Sequence, residues 1–169
     1  MKNITNAKDC LKCKLCCLYT KDQIGLAPYF SKREMALVDK KKIRKTKEGL
    51  YQAKVKKSKT KKRFYACIFL DEKNHKCTIY RIRPLDCITW PFIIGWNKEK
   101  SDVFLWISNG SFCTAVKNIA KIKKSRLPEE VLEYLKKKNF FKEIKNKERF
   151  LWPYEKYQVK LKKITKLAV

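Results

Sequence analysis

Four of the eight cysteines in this 169-residue chain fall within the single run CLKCKLCC, at Cys10, Cys13, Cys16 and Cys17. A Cys-x-x-Cys spacing lets one turn of backbone present two sulfurs to a single ion, and here the spacing occurs twice in succession. Packing alone does not explain such a local density of thiols. The run therefore predicts a metal or metal–sulfur centre.

The other four cysteines are widely spaced along the chain, at Cys67, Cys77, Cys87 and Cys113. Zinc ribbons usually take two short Cys-x2–4-Cys hairpins, one from each half of the site. Iron–sulfur cubes often take three sulfurs from one Cys-x2-Cys-x2-Cys run and a fourth from far away. The sequence therefore favours an iron–sulfur cluster, most naturally 4Fe-4S, over Zn2+, and leaves zinc open.

All eight cysteines form the predicted ligand pool, for either one centre or two. Side chains of neighbours such as Cys16 and Cys17 diverge by about 100° on a helix or 180° on a strand, so both reach one ion only from irregular backbone. Cys113 has an alternative role as a buried apolar filler. His75, two residues before Cys77, is an alternative ligand, although an exposed loop position is the favoured interpretation.

Composition restricts the class of protein. With 44% hydrophobic and 12% aromatic residues the chain can bury a core, and four glycines argue against glycine-rich phosphate loops. The sequence has neither an apolar run long enough to span a membrane nor the apolar stretch of a signal peptide near its start. We therefore expect a cytoplasmic protein whose cysteines bind metal, with a disulfide framework as the less favoured alternative.

The formal net charge of +27 predicts attraction to polyanions. Lysine far outnumbers arginine, whereas proteins that read bases usually depend on arginine, and an AT-rich genome would produce the same bias. Nucleic acid is therefore a candidate partner rather than a requirement. The best local candidate for polyanion contact is the lysine-rich stretch 56–63, for which a solvated turn is the favoured alternative.

Local patterns in the first half predict short helices and hairpins. Ser31 and Glu34 have the spacing of a capping box, so a helix is expected to begin there and to run into the lysine-rich segment near residue 47. Its core contacts are expected to be Met35, Leu37, Val38 and Ile43. Alternating apolar residues on both sides of the stretch 56–63 predict a hairpin.

In the second half, prolines and apolar runs also predict short elements. Pro84 fits the first turn of a short helix that Pro91 would end, and the runs FIIGWN and VFLWIS predict a second hairpin. A helix is expected from Pro128, broken near Asn139, and the last stretch is expected to add a strand or a helix. The predicted fold is α+β: a small single domain (1–116) with short hairpins and helices around a cysteine metal site, and a basic, mainly helical extension (117–169).

The cysteine spacings also lie within a longer motif. The run CLKCKLCC is followed by Cys-x-Phe-Leu, by Cys-x-Ile-Tyr-x-x-Arg-Pro-x-x-Cys, by a proline and by a last cysteine, at Cys67, Phe69, Leu70, Cys77, Ile79, Tyr80, Arg83, Pro84, Cys87, Pro91 and Cys113. This pattern, over about residues 10–113, resembles the YkgJ-like CxxCxxCC cysteine-cluster family, a zinc- or iron-chelating domain. The resemblance implies metal binding. The chain departs from the family in having Lys and Leu, not glycine, within the run.

Enzyme status stays open. The single histidine leaves a Ser/His/Asp triad dependent on His75, no Walker A or Gly-x-Gly-x-x-Gly run is present, and Thr20 breaks a radical-SAM spacing that begins at Cys13. A related motif in flagellin lysine N-methylases implies protein-lysine methylation as one alternative function. A nucleic-acid-binding module with a structural metal is the other. Arg83 is expected either to offset thiolate charge or to pair with Asp86.

Overall fold

The structure is a computed structural model that describes residues 15–108, 122–146, 151–152 and 158–164. The chain divides into two compact units between Ile88 and Thr89, called here the N-terminal unit and the C-terminal unit. The boundary predicted after residue 116 lies outside the described residues, so the division into 1–116 and 117–169 stays a prediction. Small antiparallel sheets and short helices confirm the α+β class.

The N-terminal unit is built from small antiparallel sheets. One has the order β1-β6-β5, one the order β2-β4-β3, and a two-stranded sheet joins β7 to β8. The strands are β1 (Leu18–Tyr19), β2 (Tyr29–Phe30), β3 (Ile43–Lys45), β4 (Tyr51–Ala53), β5 (Val55–Lys57), β6 (Tyr65–Cys67), β7 (Leu70–Asp71) and β8 (Lys76–Cys77). Their inward residues form one apolar cluster around Phe30 and Phe69, whose rings lie 6.0 Å apart.

The predicted capping box starts helix α1 (Lys32–Met35). The Glu34 amide donates to the Ser31 hydroxyl oxygen (3.3 Å), and the Glu34 carboxylate accepts from the Ser31 amide (2.9 Å). The long continuation toward residue 47 is wrong, because a 3-10 turn (Lys40–Lys42) and strand β3 follow instead. Pairing of β3 with β4 buries Ile43, whereas Leu37 is 60% exposed and is not a core residue.

The first hairpin is confirmed between β5 and β6, which pair antiparallel on either side of the loop at 58–64. The short helix after Pro84 is also confirmed as α2 (Leu85–Thr89), which ends before Pro91. Strand β4 comes directly before this hairpin in the chain but pairs with β2 and β3. Residues Tyr51–Ala53 therefore belong to a second sheet.

The C-terminal unit contains one sheet of order β11-β10-β9 and two successive helices. The second predicted hairpin is confirmed as β9 (Phe92–Trp96) and β10 (Val103–Ser108). Helices α3 (Leu127–Lys137) and α4 (Phe140–Lys145) are separated at Asn139, which has a positive φ of 60°. The helix break was therefore predicted at the right residue.

The last described element is a strand, β11 (Gln158–Lys163), which pairs antiparallel with β10. Of the two expectations for this stretch, the strand is correct, so the mainly helical extension is wrong for this part. None of the helices within the described ranges is long and apolar enough to cross a membrane.

Candidate metal centre

Strand pairing brings the end of the cysteine run to a distant cysteine. Leu18 of β1 lies opposite Ala66 of β6, and Tyr19 lies opposite Tyr65. Cys17, the residue before β1, and Cys67, the last residue of β6, therefore lie at the same end of this pair of strands. A 3-10 turn (Leu15–Cys17) leads into β1. Cys16 and Cys17 therefore lie on irregular backbone, which is the kind that two neighbouring cysteines need to reach one ion.

A second strand pair brings Cys77 to the same apolar cluster. Cys77 of β8 lies opposite Leu70 of β7, three residues after Cys67 in the chain. The turn is closed by Thr78, whose amide and hydroxyl both donate to the carbonyl oxygen of Phe69, at 2.8 and 3.1 Å. Cys17 and Cys77 pack, half-buried, against the cluster to which buried Cys67 belongs.

The third distant cysteine, Cys87, lies on α2, and two carboxylates hold that helix. Glu34 accepts a hydrogen bond from the Leu85 amide at 2.9 Å, and Asp86 accepts one from the Tyr29 amide at 3.0 Å. The residues at the start of α1 therefore fix the first turn of the helix that carries Cys87. In this position the charges of the other thiols act on Cys87 and raise its pKa, in addition to the larger effect of desolvation.

The five described cysteines share one electrostatic neighbourhood. A hydrogen bond from the Cys17 thiol lowers the pKa of Cys16, and the same bond, with desolvation and the charges of Cys16, Cys67 and Cys87, raises the pKa of Cys17 well above its usual value. Desolvation raises the pKa of Cys87 most, and the nearby charges raise it further; these are the charges of Cys16, Cys67, Asp86 and Cys77. Such mutual effects require proximity.

Two of the sulfurs accept hydrogen bonds from backbone amides two residues further on. Desolvation raises the pKa of Cys67 to about 12, and the Phe69 amide opposes this rise by donating to its sulfur. Desolvation also raises the pKa of Cys77, and the Ile79 amide and the Arg83 charge oppose it. Amide donors and a cation near a thiolate are the partners that tune metal–sulfur sites.

Neighbouring side chains complete the surroundings of the sulfurs. The Arg83 guanidinium lies over the Tyr80 ring, 4.3 Å from its centroid. Its charge adds to the hydrogen bond from Cys17 in lowering the pKa of Cys16, and it opposes the rise that desolvation causes in the pKa of Cys77. This supports the charge-offsetting role expected for Arg83. The Tyr19 hydroxyl donates to the Cys16 carbonyl oxygen at 2.9 Å and so fixes the backbone at the end of the cysteine run.

The predicted ligand pool is only partly described. Cys10, Cys13 and Cys113 lie outside the described residues, so the structure places five of the eight cysteines. Among the side chains that the structure describes, no group of three or more His, Cys, Asp or Glu is arranged to hold a metal ion. His75 is exposed on the β7–β8 turn with a positive φ of 55°, as the favoured interpretation expected.

Sequence reasoning missed three contributors to this site. Glu34 was predicted as a helix cap but also binds the Leu85 amide, and neither Asp86 nor Tyr19 was expected to hold the backbone near a cysteine. A signal was present for two of them, because Asp86 adjoins Cys87 and Tyr19 follows Cys16 by one turn. The second bond of Glu34 links residues 51 positions apart and has no local signal.

The spacing of the eight cysteines, five of which the structure places in the N-terminal unit, is that of a cysteine-cluster protein. The chain belongs to the CxxCxxCC family, described as "Putative zinc- or iron-chelating domain", whose model matches residues 9–114. The expected family is therefore confirmed, over all eight cysteines. No solved structure matches the chain.

Proposed function

We propose that this is a cytoplasmic protein that holds an iron–sulfur cluster of the 4Fe-4S type. Cys10, Cys13 and Cys16 would supply three sulfurs and one distant cysteine the fourth. The observation that carries the proposal is that β1, which follows the cysteine run, pairs with β6, which ends at Cys67, and that Cys17 and Cys77 pack against the cluster containing Cys67. Zn2+ is the alternative, since the family description includes both metals.

The chemistry of the described donors fits a soft metal centre. The group consists of sulfurs, with the histidine exposed elsewhere, and thiolates favour zinc and iron–sulfur clusters over hard cations. Ligand thiols must be deprotonated, and a cluster of thiolates carries negative charge. The Arg83 charge and the amides of Phe69 and Ile79 are already placed to offset it.

An iron–sulfur cluster would supply a one-electron redox centre, and either metal could serve a structural or metal-handling role. The residues of this chain would hold and shield the centre. Cys17, Cys67 and Cys77 border the apolar cluster of the N-terminal unit, which limits the access of water to their sulfurs. Tyr19 fixes the backbone at Cys16, and Glu34 fixes the first turn of the helix that carries Cys87.

Anaerobic purification followed by elemental analysis tests the metal. We expect iron and acid-labile sulfide in fixed ratio to protein, visible absorption, and a paramagnetic signal after reduction. Colourless protein with stoichiometric zinc would replace the iron–sulfur proposal with the zinc alternative. Protein without bound metal, with its thiols paired as disulfides, would contradict both.

Substitution of Cys67 separates a ligand from a core filler. Cys67→Ala should reduce the metal content at least severalfold if the sulfur is a ligand, and should leave it unchanged if the sulfur only fills space. Ile68→Val is the matched control, because Ile68 packs against the same cluster and its substitution removes one methylene without touching a thiol. Metal content per folded protein is the measurement.

A further inference from the structure

The loop between β5 and β6 is organised around one carboxylate. A single oxygen of Glu72 accepts hydrogen bonds from the Lys59 amide (3.0 Å), the Thr60 amide (3.3 Å), the Thr60 hydroxyl (3.1 Å) and the Ser58 hydroxyl (2.5 Å). Glu72 is only 6% exposed. This buried carboxylate therefore fixes the middle of a loop that the sequence alone shows only as a run of lysines.

Further bonds close the loop at its base. The Ser58 amide donates to the Phe64 carbonyl oxygen and the Phe64 amide to the Lys61 carbonyl oxygen, both at 2.9 Å. The Lys61 amide donates to the Ser58 hydroxyl oxygen at 3.0 Å. Hydrogen bonds thus hold the loop backbone both at its base and at its middle.

The fixed backbone presents cations to solvent. The loop and its flanks carry five exposed cationic side chains, those of Lys57, Lys59, Lys61, Lys62 and Arg63. No Asp or Glu occurs between Glu48 and Asp71 in the sequence. The bonds described for Glu72 come from amides and hydroxyls of the loop, so its charge holds the backbone instead of pairing with a lysine head group.

A nucleic-acid phosphate backbone fits this surface better than the other polyanions. Membrane-surface binding usually adds apolar side chains that insert between lipids, but the exposed residues of the loop are Lys, Arg and Thr, and Phe64 lies beneath Lys61. Lysine binds phosphates as a point charge, whereas base reading favours the arginine fork. The loop is therefore suited to phosphate contacts that are independent of sequence.

We propose that the loop at 58–64, together with Lys57 at its flank, is a preorganised docking surface for the phosphate backbone of nucleic acid. Glu72 is the residue that positions the cations of this surface. Preorganisation lowers the ordering cost that flexible lysines pay on binding. The docking surface would bind phosphates through lysines, whereas the metal centre would bind metal through thiols. Strand β6 connects the two regions, because it begins at the loop and ends at Cys67.

Salt-dependent binding tests the surface. The probe is a fluorescent single-stranded RNA of mixed sequence, about 20 nucleotides long, with protein purified in its metal-bound form. The variant Lys59→Gln/Lys61→Gln/Lys62→Gln should lower the slope of log K against log salt by about 2, which corresponds to roughly 100-fold weaker binding at 0.1 M salt. Metal content and circular dichroism verify folding of each variant.

The matched control removes the same charge elsewhere in the N-terminal unit. Lys40→Gln/Lys41→Gln/Lys47→Gln changes three exposed lysines, and it should leave most of the slope intact. Equal losses in both triple variants would show a diffuse effect of the +27 charge and would overturn the proposal.

Glu72→Gln tests the positioning role, because a pure charge effect and a loss of loop order would change RNA affinity in opposite directions. Removing a negative charge from a basic protein strengthens general attraction to RNA. The neutral amide oxygen of Gln, however, accepts the four hydrogen bonds more weakly than a carboxylate oxygen and so loosens the loop. We expect binding at least about threefold weaker despite the higher net charge. Unchanged or tighter binding would overturn the proposal.

Vesicles provide the last comparison. Binding to vesicles with roughly one-third phosphatidylserine should be weaker than RNA binding and insensitive to Glu72→Gln. Vesicle binding as tight as RNA binding, with the same dependence on the loop lysines, would assign the surface to a membrane and contradict the nucleic-acid proposal.

Discussion

Two glycines stand in opposite surroundings and show how a single position limits packing. At Gly95 an added Cβ would lie 2.5 Å from the carbonyl oxygen of Trp152, whereas at Gly25 it would meet nothing within 4 Å. The close approach allows the Trp96 amide to donate to that oxygen (3.0 Å) and the Trp152 amide to donate to the Ile94 carbonyl oxygen (3.1 Å). The Gly95 side of β9 therefore accepts backbone but no side chain.

Gly95→Ala should destabilise the C-terminal unit by about 1–3 kcal/mol, because backbone rather than a flexible side chain must move. Unfolding followed by tryptophan fluorescence measures this directly, since all four tryptophans follow Thr89 in the chain. Gly25→Ala lies in the N-terminal unit and is the control; its unfolding, followed by circular dichroism, should show little change in stability. A Gly95→Ala protein with wild-type stability would mean that the segment at Trp152 does not pack on β9 in solution.

At the scale of elements, Glu34 connects α1 to α2. Its two carboxylate oxygens accept from the Ser31 amide and the Leu85 amide, both at 2.9 Å in a buried setting. A buried amide that loses its acceptor costs about 1–3 kcal/mol. The capping residue of one helix therefore sets the position of the helix that carries Cys87.

Glu34→Gln should lower the free energy of unfolding of the N-terminal unit by about 1–3 kcal/mol, because the amide nitrogen of Gln cannot accept a hydrogen bond. We also expect reduced metal retention during dialysis, measured per folded protein. Glu130→Gln, at an exposed site on α3, should have no effect on either quantity. An equally small effect of both substitutions would argue against the link between α1 and α2.

The loop at 58–64 should depend on pH through Glu72. Desolvation opposes ionisation, but the hydrogen bonds from Ser58, Lys59 and Thr60 outweigh it and lower the pKa of Glu72 below its usual 4.5. A depressed carboxyl pKa stabilises the loop above the unfolded value, and this stabilisation is lost as the pH falls through the folded pKa. The organised loop is therefore expected to persist at neutral pH.

Amide chemical shifts of Lys59 and Thr60 should titrate together with a midpoint below 4.5, measured by NMR. In Glu72→Gln this shared transition should disappear, which identifies its source. A midpoint at or above 4.5 would show that the carboxylate is not stabilised by the loop.

For the whole molecule, metal and folding should be coupled in the N-terminal unit. Thiols from strands β6 and β8 and from the turn before β1 border one apolar cluster, so a shared ion would tie together elements distant in the chain. Removing the metal should lower the melting temperature by at least about 4 °C, the shift that roughly 1 kcal/mol produces in a domain of this size. An unchanged melting temperature, measured by circular dichroism, would contradict a structural contribution of the metal.

How much the sequence could predict depends on the distance over which each signal acts. The Ser31–Glu34 cap, the short helix after Pro84, both hairpins and the break at Asn139 were all recognised, because each depends on residues a few positions apart. The length of α1 was overestimated for the opposite reason. Lysine-rich sequence is compatible with a helix, but pairing with β4 drew Ile43 into a strand.

The sequence by itself determined the family, the spacing of the cysteines and the basic character, since spacing and composition are properties of the chain alone. Only the tertiary structure decided that β1, which follows Cys17, pairs with β6, which ends at Cys67, and that Glu34 accepts a hydrogen bond from the Leu85 amide. It also decided that Glu72 shapes the lysine loop and that β11 pairs with β10. Partners such as β1 and β6 are chosen by burial and hydrogen bonding across the whole unit, which no local pattern records.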